Sequence, residues 1–263
     1  MKLCINTETC IGCSLCKQIC IRNNITIKNK KAIELNNPEC FECGQCIGIC
    51  PTNSIRLKKH LNQENKIKKY EKLKIKPSDY LNLLKQRRSI RWFKKDKISK
   101  ETFDKLFEAT YYSPTAQNIQ DVEFVVIDKQ LNEFIQHIYN IIKKEENKYL
   151  RIKQLGEYLQ DKNKYKNNPL LWEGHQLILG FSSNPANAII ATTRLELYAY
   201  TLGLGGFYSL FIQKADEINH EKLMEFFSKI SKDKHMYSAF IIGYPRVKYY
   251  RTVPHKKIKI QYL

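Results

Sequence analysis

Eight of the nine cysteines fall between positions 10 and 50, in two runs of identical spacing. The first is Cys10-x-x-Cys13-x-x-Cys16-x-x-x-Cys20; the second is Cys40-x-x-Cys43-x-x-Cys46-x-x-x-Cys50. No cysteine follows Cys50 in a chain of 263 residues. Three thiolates at this spacing curl a loop around one face of an iron–sulfur cubane, and the fourth opens a short helix that reaches the neighbouring cluster. Two tandem runs therefore predict two 4Fe–4S clusters with crossed ligation. Cys10, Cys13, Cys16 and Cys50 would hold one, and Cys40, Cys43, Cys46 and Cys20 the other. Disulfides call for an oxidising compartment, yet the opening MKLCINTETC has no apolar run to serve as a signal-peptide core. A cytoplasmic location is expected. Zinc sites use pairs of Cys-x-x-Cys, not matched triplets with a fourth cysteine at a fixed offset.

Residues 1–58 resemble a bacterial-type two-cluster ferredoxin domain, with Ile21 standing where proline usually follows the first run. Between the runs, ITIKNKKAIEL alternates apolar and polar residues around Asn29-Lys30-Lys31 and predicts a two-stranded hairpin. Cys4, outside both runs, reads as a small apolar strand residue. This segment holds 8 Lys+Arg against 4 Asp+Glu, a formal +4, which two oxidised clusters of about −2 each would offset. Residues 59–263 keep 37 Lys+Arg against 22 Asp+Glu, so the surplus of the +19 chain lies behind the cysteines. Of the 45 basic residues 36 are Lys, spread without an Arg-rich, aromatic-interleaved stretch, so nucleic acid is not expected as a partner.

Residues 59–77 read as a charged linker. Pro77 and Ser78 then set up a helix with Ser78 as N-cap, placing Leu81, Leu84 and Arg88 on neighbouring turns. A second helix opens at Ser99 and carries Phe103, Leu106 and Phe107. VEFVVID, LILGFSS and YSAFIIG predict strands, and Leu131–Leu159, Pro185–Leu202 and His220–Ile230 predict helices. The stretch Pro185–Ile212 is interrupted by Arg194 and Glu196, so it predicts a buried helix and no membrane span. Scattered strands among dominant helices make residues 78–263 an α+β domain. Dinucleotide-fold, Walker and His-Glu-x-x-His motifs are absent from the sequence.

Four motifs occur in order in this second part: RRSIRWF after the opening helix, SPTAQNIQ before VEFVVI, LGLGGFYS after an apolar helix, and GYPRVKYYRTVPHKK near the end. Together they resemble the nitroreductase family of FMN-binding proteins. The whole chain resembles the ferredoxin–nitroreductase fusions of anaerobes.

The resemblance implies specific roles. Arg87, Arg88, Ser89 and Arg91 would hold the FMN phosphate and ribityl chain, a task suited to convergent guanidinium and hydroxyl donors. Pro114, Thr115, Ala116, Asn118 and Gln120 match the loop that reaches the partner subunit's flavin, with Asp121-Val122 replacing the usual Pro-Trp after it. Gly205, Gly206, Phe207 and Tyr208 match the stretch that passes the flavin ring, where glycine permits close approach. Arg251, His255 and Lys257 fall where the family places basic residues near the phosphate. The implied protein is a homodimeric oxidoreductase in which the clusters feed FMN and FMN reduces a small acceptor, such as a nitroaromatic or quinone. Reduced ferredoxin or a reductase is the expected external electron donor. Reduction of enones or halogenated aromatics, or transfer of electrons to a protein partner, are the alternatives.

Overall fold

The computed structural model describes residues 2–35 and 39–263 and divides into two compact units. The first comprises Met1–Lys74 together with Ala116–Ile119; the second comprises Ile75–Thr115 and Gln120–Leu263.

In the first unit, β1 (Leu3–Ile5) leads into α1 (Leu15–Ile19), then β2 (Ile25–Lys28), β3 (Lys31–Glu34), α2 (Gln45–Gly48) and β4 (Ile55–Leu57). β2 and β3 form the expected hairpin, paired from Ile25↔Glu34 to Lys28↔Lys31. Asn29 and Lys30 turn it with φ of 49° and 58°, the left-handed pair that matches strand twist. β1 pairs antiparallel with β4, which places the chain's two cysteine loops on a common apolar floor of Leu3, Ile25, Ala32, Ile55 and Leu57. The buried Glu34 carboxylate accepts the Lys2 and Leu3 amides at 2.7 and 3.1 Å, tying β1 to β3. Cys4 lies in β1 as expected but on its exposed face, because burial alternates along a strand and Leu3 takes the inner position.

The second unit opens with α3 (Pro77–Gln86) and α4 (Lys100–Tyr111), then β5 (Glu123–Ile127), α5 (Leu131–Ile142), α6 (Leu150–Gln160) and β6 (Gln176–Ser182). It continues with α7 (Pro185–Thr201), β7 (Gly205–Tyr208), α8 (Leu210–Ile218), α9 (His220–Met224) and β8 (His235–Gly243). The four strands form one antiparallel sheet in the order β5-β6-β8-β7. Alternate residues feed two cores. Leu177, Leu179, Phe181, Ala239 and Ile241 pack with α5, α6 and α8, while Ile178, Phe240 and Ile242 pack with Phe103 and Leu106 of α4 and Leu195 and Ala199 of α7. Both faces of β6 are covered, so each of its seven residues is buried. Among the described residues, no helix is long and apolar enough to cross a membrane.

Several expectations are corrected. α3 is capped at Lys76 with Pro77 in its first turn, not at Ser78, because proline presets the helical φ one residue earlier. Leu81 and Leu84 are exposed, and α3 buries none of its residues. The long helix expected over 131–159 is two helices: KKEENK at 143–148 offers no apolar residue to extend the buried stripe. α9 stops at Met224, after which Phe226 and Phe227 turn into the core against Phe134. The strand β7 was not anticipated. The tail beyond residue 246 has no regular secondary structure.

Candidate functional site

The crossed cysteine sets come together in the first unit. One small cavity is lined by Cys10, Cys13, Cys16 and Cys50, and a second by Cys20, Cys40, Cys43 and Cys46. Each run starts in a loop and puts its third cysteine on a helix, α1 or α2, entered through a residue of positive φ, Ser14 or Gly44. The two halves repeat one another down to hydrogen bonds. The Asn24 amide donates to Cys20 Sγ and the Ser54 amide to Cys50 Sγ, both at 3.3 Å, and the Ala32 amide donates to Cys10 Sγ at 3.4 Å. Such N–H donors favour thiolate and tune a cluster's potential.

Electrostatics tests the fit. Burial, then the neighbouring Cys43, Cys20 and Cys40, pushes the Cys46 thiol up to about 12. Burial and the nearby Cys13 and Cys10 likewise raise the Cys16 thiol. Four thiolates could share such a space only around a cationic core, which the iron of a cluster supplies. At Cys50, burial acts upward, but hydrogen bonds from Ser54 and Thr52 outweigh it and lower the thiol.

In the second unit the chain leaves α3 at Arg87 and runs extended beside β7. Ser89 bridges Gly206 in parallel, and the Ile90 amide donates to the Gly206 carbonyl at 2.9 Å. Farther on, Phe93 bridges Pro245, and the Lys94 amide donates to the Tyr244 carbonyl at 2.8 Å. This zipper joins RRSIRWF to LGLGGFYS and GYPRVKYY, three motifs far apart in sequence. Beside it opens a cavity walled by Arg88, Tyr200, Leu204, Lys248, Tyr249 and Arg251. Arg88 Nη1 donates to the Arg87 carbonyl at 2.8 Å, while its Nη2 is buried without a hydrogen-bond partner. An unpaired buried guanidinium nitrogen beside a second arginine fits an anionic group such as a phosphate.

The other expected residues divide. Arg87 is ion-paired to Glu196 of α7 at 3.0 Å. Arg91 stacks over Phe207 and Trp172, 5.1 and 5.9 Å from their ring centroids. His255 and Lys257 lie in the exposed tail and outside the walls of the arginine cavity, whereas Arg251 lines it. Sequence reasoning takes Glu196 only as an interruption of the apolar PANAIIATTRLELYAY and misses its pairing with Arg87, although a carboxylate in that stretch was its signal. Desolvation, then Glu196, holds the Tyr208 phenol above its ordinary range.

The glycines of LGLGG serve the fold first. Gly203, at φ +74°, ends α7. A Cβ on Gly206 would meet the Ile241 carbonyl oxygen at 2.1 Å and the Phe240 ring at 2.5 Å, so packing on β8 alone requires glycine there.

The SPTAQNIQ loop is conformationally costly, with Gln117, Asn118 and Gln120 all at positive φ. Thr115 and Gln120 line a second-unit cavity with Phe107, Thr110 and Phe124, into which the buried, unpartnered Ser113 hydroxyl also falls. Pro114 precedes them on the surface. Ala116–Ile119 groups with the first unit, where Asn118 Nδ2 donates to the Phe41 and Glu42 carbonyls, each at 3.2 Å. Asp121, replacing the usual proline, accepts from Ser182 Oγ, the Ser183 amide and hydroxyl, and Asn187 Nδ2 at 2.6–2.9 Å. Partial burial works against ionisation, but these donors prevail and bring its carboxyl down to about 2.

Fold and sites together define a two-module redox protein, a dicluster module followed by an α+β module with an arginine-walled cavity. The chain belongs to the nitroreductase family, which it matches over residues 84–244; residues 9–54 match the 4Fe-4S dicluster domain. Its fold is similar to that of a nitroreductase with bound FMN from Bacteroides fragilis (16% identity, TM-score 0.55), covering 69% of this chain and 98% of that one. A nitroreductase with bound FMN from Desulfitobacterium hafniense gives 16% identity and a TM-score of 0.55 over 70% of this chain and 98% of its own. A BluB-like flavoprotein from Clostridium difficile gives 20% identity and a TM-score of 0.50 over 70% and 95%. Among curated proteins, none matches.

Proposed function

We propose that this protein is an iron–sulfur flavoprotein oxidoreductase in which the dicluster module passes electrons to FMN, for reduction of a small acceptor such as a nitroaromatic or quinone. The observation that carries the flavin half is Arg88. Its buried, unpartnered Nη2 in a cavity shared with Arg251 calls for an anion, and the FMN phosphate carries about two negative charges. The FMN-bound structures from Bacteroides fragilis and Desulfitobacterium hafniense share the fold that builds this cavity.

Bound FMN supplies hydride or single-electron transfer to an acceptor lying against it. The chain's own residues bind and orient. Arg88 and Arg251, with the Ser89 hydroxyl, hold the phosphate. Glu196 keeps Arg87 in place beside them, and Phe207 steers Arg91 toward the ribityl chain. Gly205, Gly206 and Tyr208 line the ring's edge, and Pro114, Thr115, Ala116, Asn118 and Gln120 complete the site across a homodimer. Cys10, Cys13, Cys16 and Cys50 hold one cluster, and Cys20, Cys40, Cys43 and Cys46 the other. No side chain is assigned as general acid.

The cluster module favours reduced ferredoxin or a reductase as donor over direct nicotinamide binding. The test is anaerobic turnover of a nitroaromatic, a quinone, an enone and a halogenated aromatic by purified holoprotein with prereduced clusters. Turnover of the nitroaromatic or quinone is expected. No turnover of any of the four would make the chain an electron carrier for a protein partner.

A further inference from the structure

Asp216, His220 and His235, none of which belongs to either cofactor site, converge where α8 ends, α9 begins and β8 enters the sheet. Asp216 Oδ1 lies 2.7 Å from His220 Nδ1, and Asp216 Oδ2 lies 2.7 Å from His235 Nδ1. The imidazole centroids are 4.1 Å apart. Asp216 is 6% exposed. On the far side of its ring, His220 Nε2 lies 2.9 Å from the Lys232 carbonyl oxygen.

The chemistry of these partners is informative. A carbonyl oxygen only accepts, so His220 Nε2 carries a proton and Nδ1 is the atom turned to Asp216. Metal-ligating histidines are held in this way, one ring nitrogen donating to a backbone carbonyl and the other facing the ion. A divalent ion bound between them would take both rings as neutral ligands and the buried carboxylate as the anionic third.

The distances suit the exchange. All three ligand atoms lie within 4.8 Å of one another. Ligands about 2.0–2.1 Å from a tetrahedral zinc ion sit roughly 3.3 Å apart, so each 2.7 Å contact between Asp216 and a histidine opens by about half an ångström to admit it. Two imidazoles select a borderline transition metal over magnesium or calcium, which prefer oxygen.

We infer that Asp216, His220 and His235 form a zinc(II)-type transition-metal site, with water as fourth ligand, that pins the α8–α9 corner to the start of β8. It is separate from the cluster cysteines and from the arginine cavity.

The test uses holoprotein with its clusters and flavin in place, dialysed against chelator and given one equivalent of zinc(II). X-ray absorption at the zinc edge should show a nitrogen/oxygen shell at about 2.0–2.1 Å with imidazole outer scattering. Zinc should also raise the thermal midpoint. Both signals should vanish in His235→Gln, chosen because that side chain is 45% exposed and the variant can fold, and in His220→Gln. A sulfur shell at about 2.3 Å, placing the ion on cysteine, would overturn the inference. So would failure to retain zinc, or retention unchanged in both variants.

Discussion

Arg87 Nη1 lies 3.0 Å from Oε1 of Glu196, a nearly buried carboxylate 109 residues farther along the chain. The pair fastens the segment leaving α3 to α7, and the same carboxylate meets the Tyr208 phenol, whose raised pKa keeps it protonated through the neutral range. One buried acid thus orders two residues of the proposed flavin site. Glu196→Ala should destabilise the second unit by about 1–3 kcal/mol. The expected sign is a lower thermal midpoint read by tryptophan fluorescence, since Trp92 and Trp172 both lie in that unit. An unchanged midpoint would show the pair to be incidental.

The phosphate assignment has its own signature. Arg88→Gln should weaken FMN binding about 10- to 100-fold, with Arg88→Lys intermediate because it keeps the charge and loses the planar fork. Arg251→Ala should cost more than His255→Ala or Lys257→Ala, since only Arg251 of the three lines the cavity. Titration of apoprotein with FMN, followed by flavin fluorescence, gives the ranking.

At Asp121 the prediction concerns pH. Its folded carboxyl, at about 2, lies below the ordinary value near 3.9, so its hydrogen bonds stabilise the fold fully above that ordinary range and lose their effect as pH falls through about 2. Asp121→Asn should lower stability by about 1–2 kcal/mol at pH 7. The gap between variant and parent should close steadily on acidification below about pH 4. A gap independent of pH would mean that shape, not charge, carries the contribution.

What the sequence made legible follows from how local each signal is. The cysteine runs repeat one short spacing, and the β2–β3 turn is set by two adjacent left-handed residues, so both are readable in one dimension. α4 is likewise announced by Ser99, whose hydroxyl accepts the Thr102 amide. β7 was missed because Gly205-Gly206 has no side chain to reveal a strand; only pairing with β8 and Ser89, distant in the sequence, makes it one. The Arg87–Glu196 pair and the Asp216–His235 contact join residues that no local pattern links. The approach of Gly206 to a flavin is implied by the family resemblance, which no local pattern separates from the demand of the Ile241 carbonyl for a residue without a side chain.

Crossed ligation can be tested by pairing substitutions. Cys20→Ala combined with Cys40→Ala removes two ligands from one cavity, so about half of the iron should remain; Cys20→Ala with Cys10→Ala touches both cavities and should lose more. Iron analysis of anaerobically purified protein decides it. The reverse order would mean that each run serves its own cluster.

The central claim is that electrons reach the flavin through the clusters. It is tested by stopped-flow reduction of the FMN-loaded protein by reduced ferredoxin, comparing the parent with Cys20→Ala/Cys50→Ala, which removes one ligand from each cavity. Flavin bleaching should be fast in the parent and at least about tenfold slower in the variant, with direct reduction by NADPH slow in both. Bleaching at equal rates in both proteins, or a rate with NADPH matching that with ferredoxin, would contradict the account.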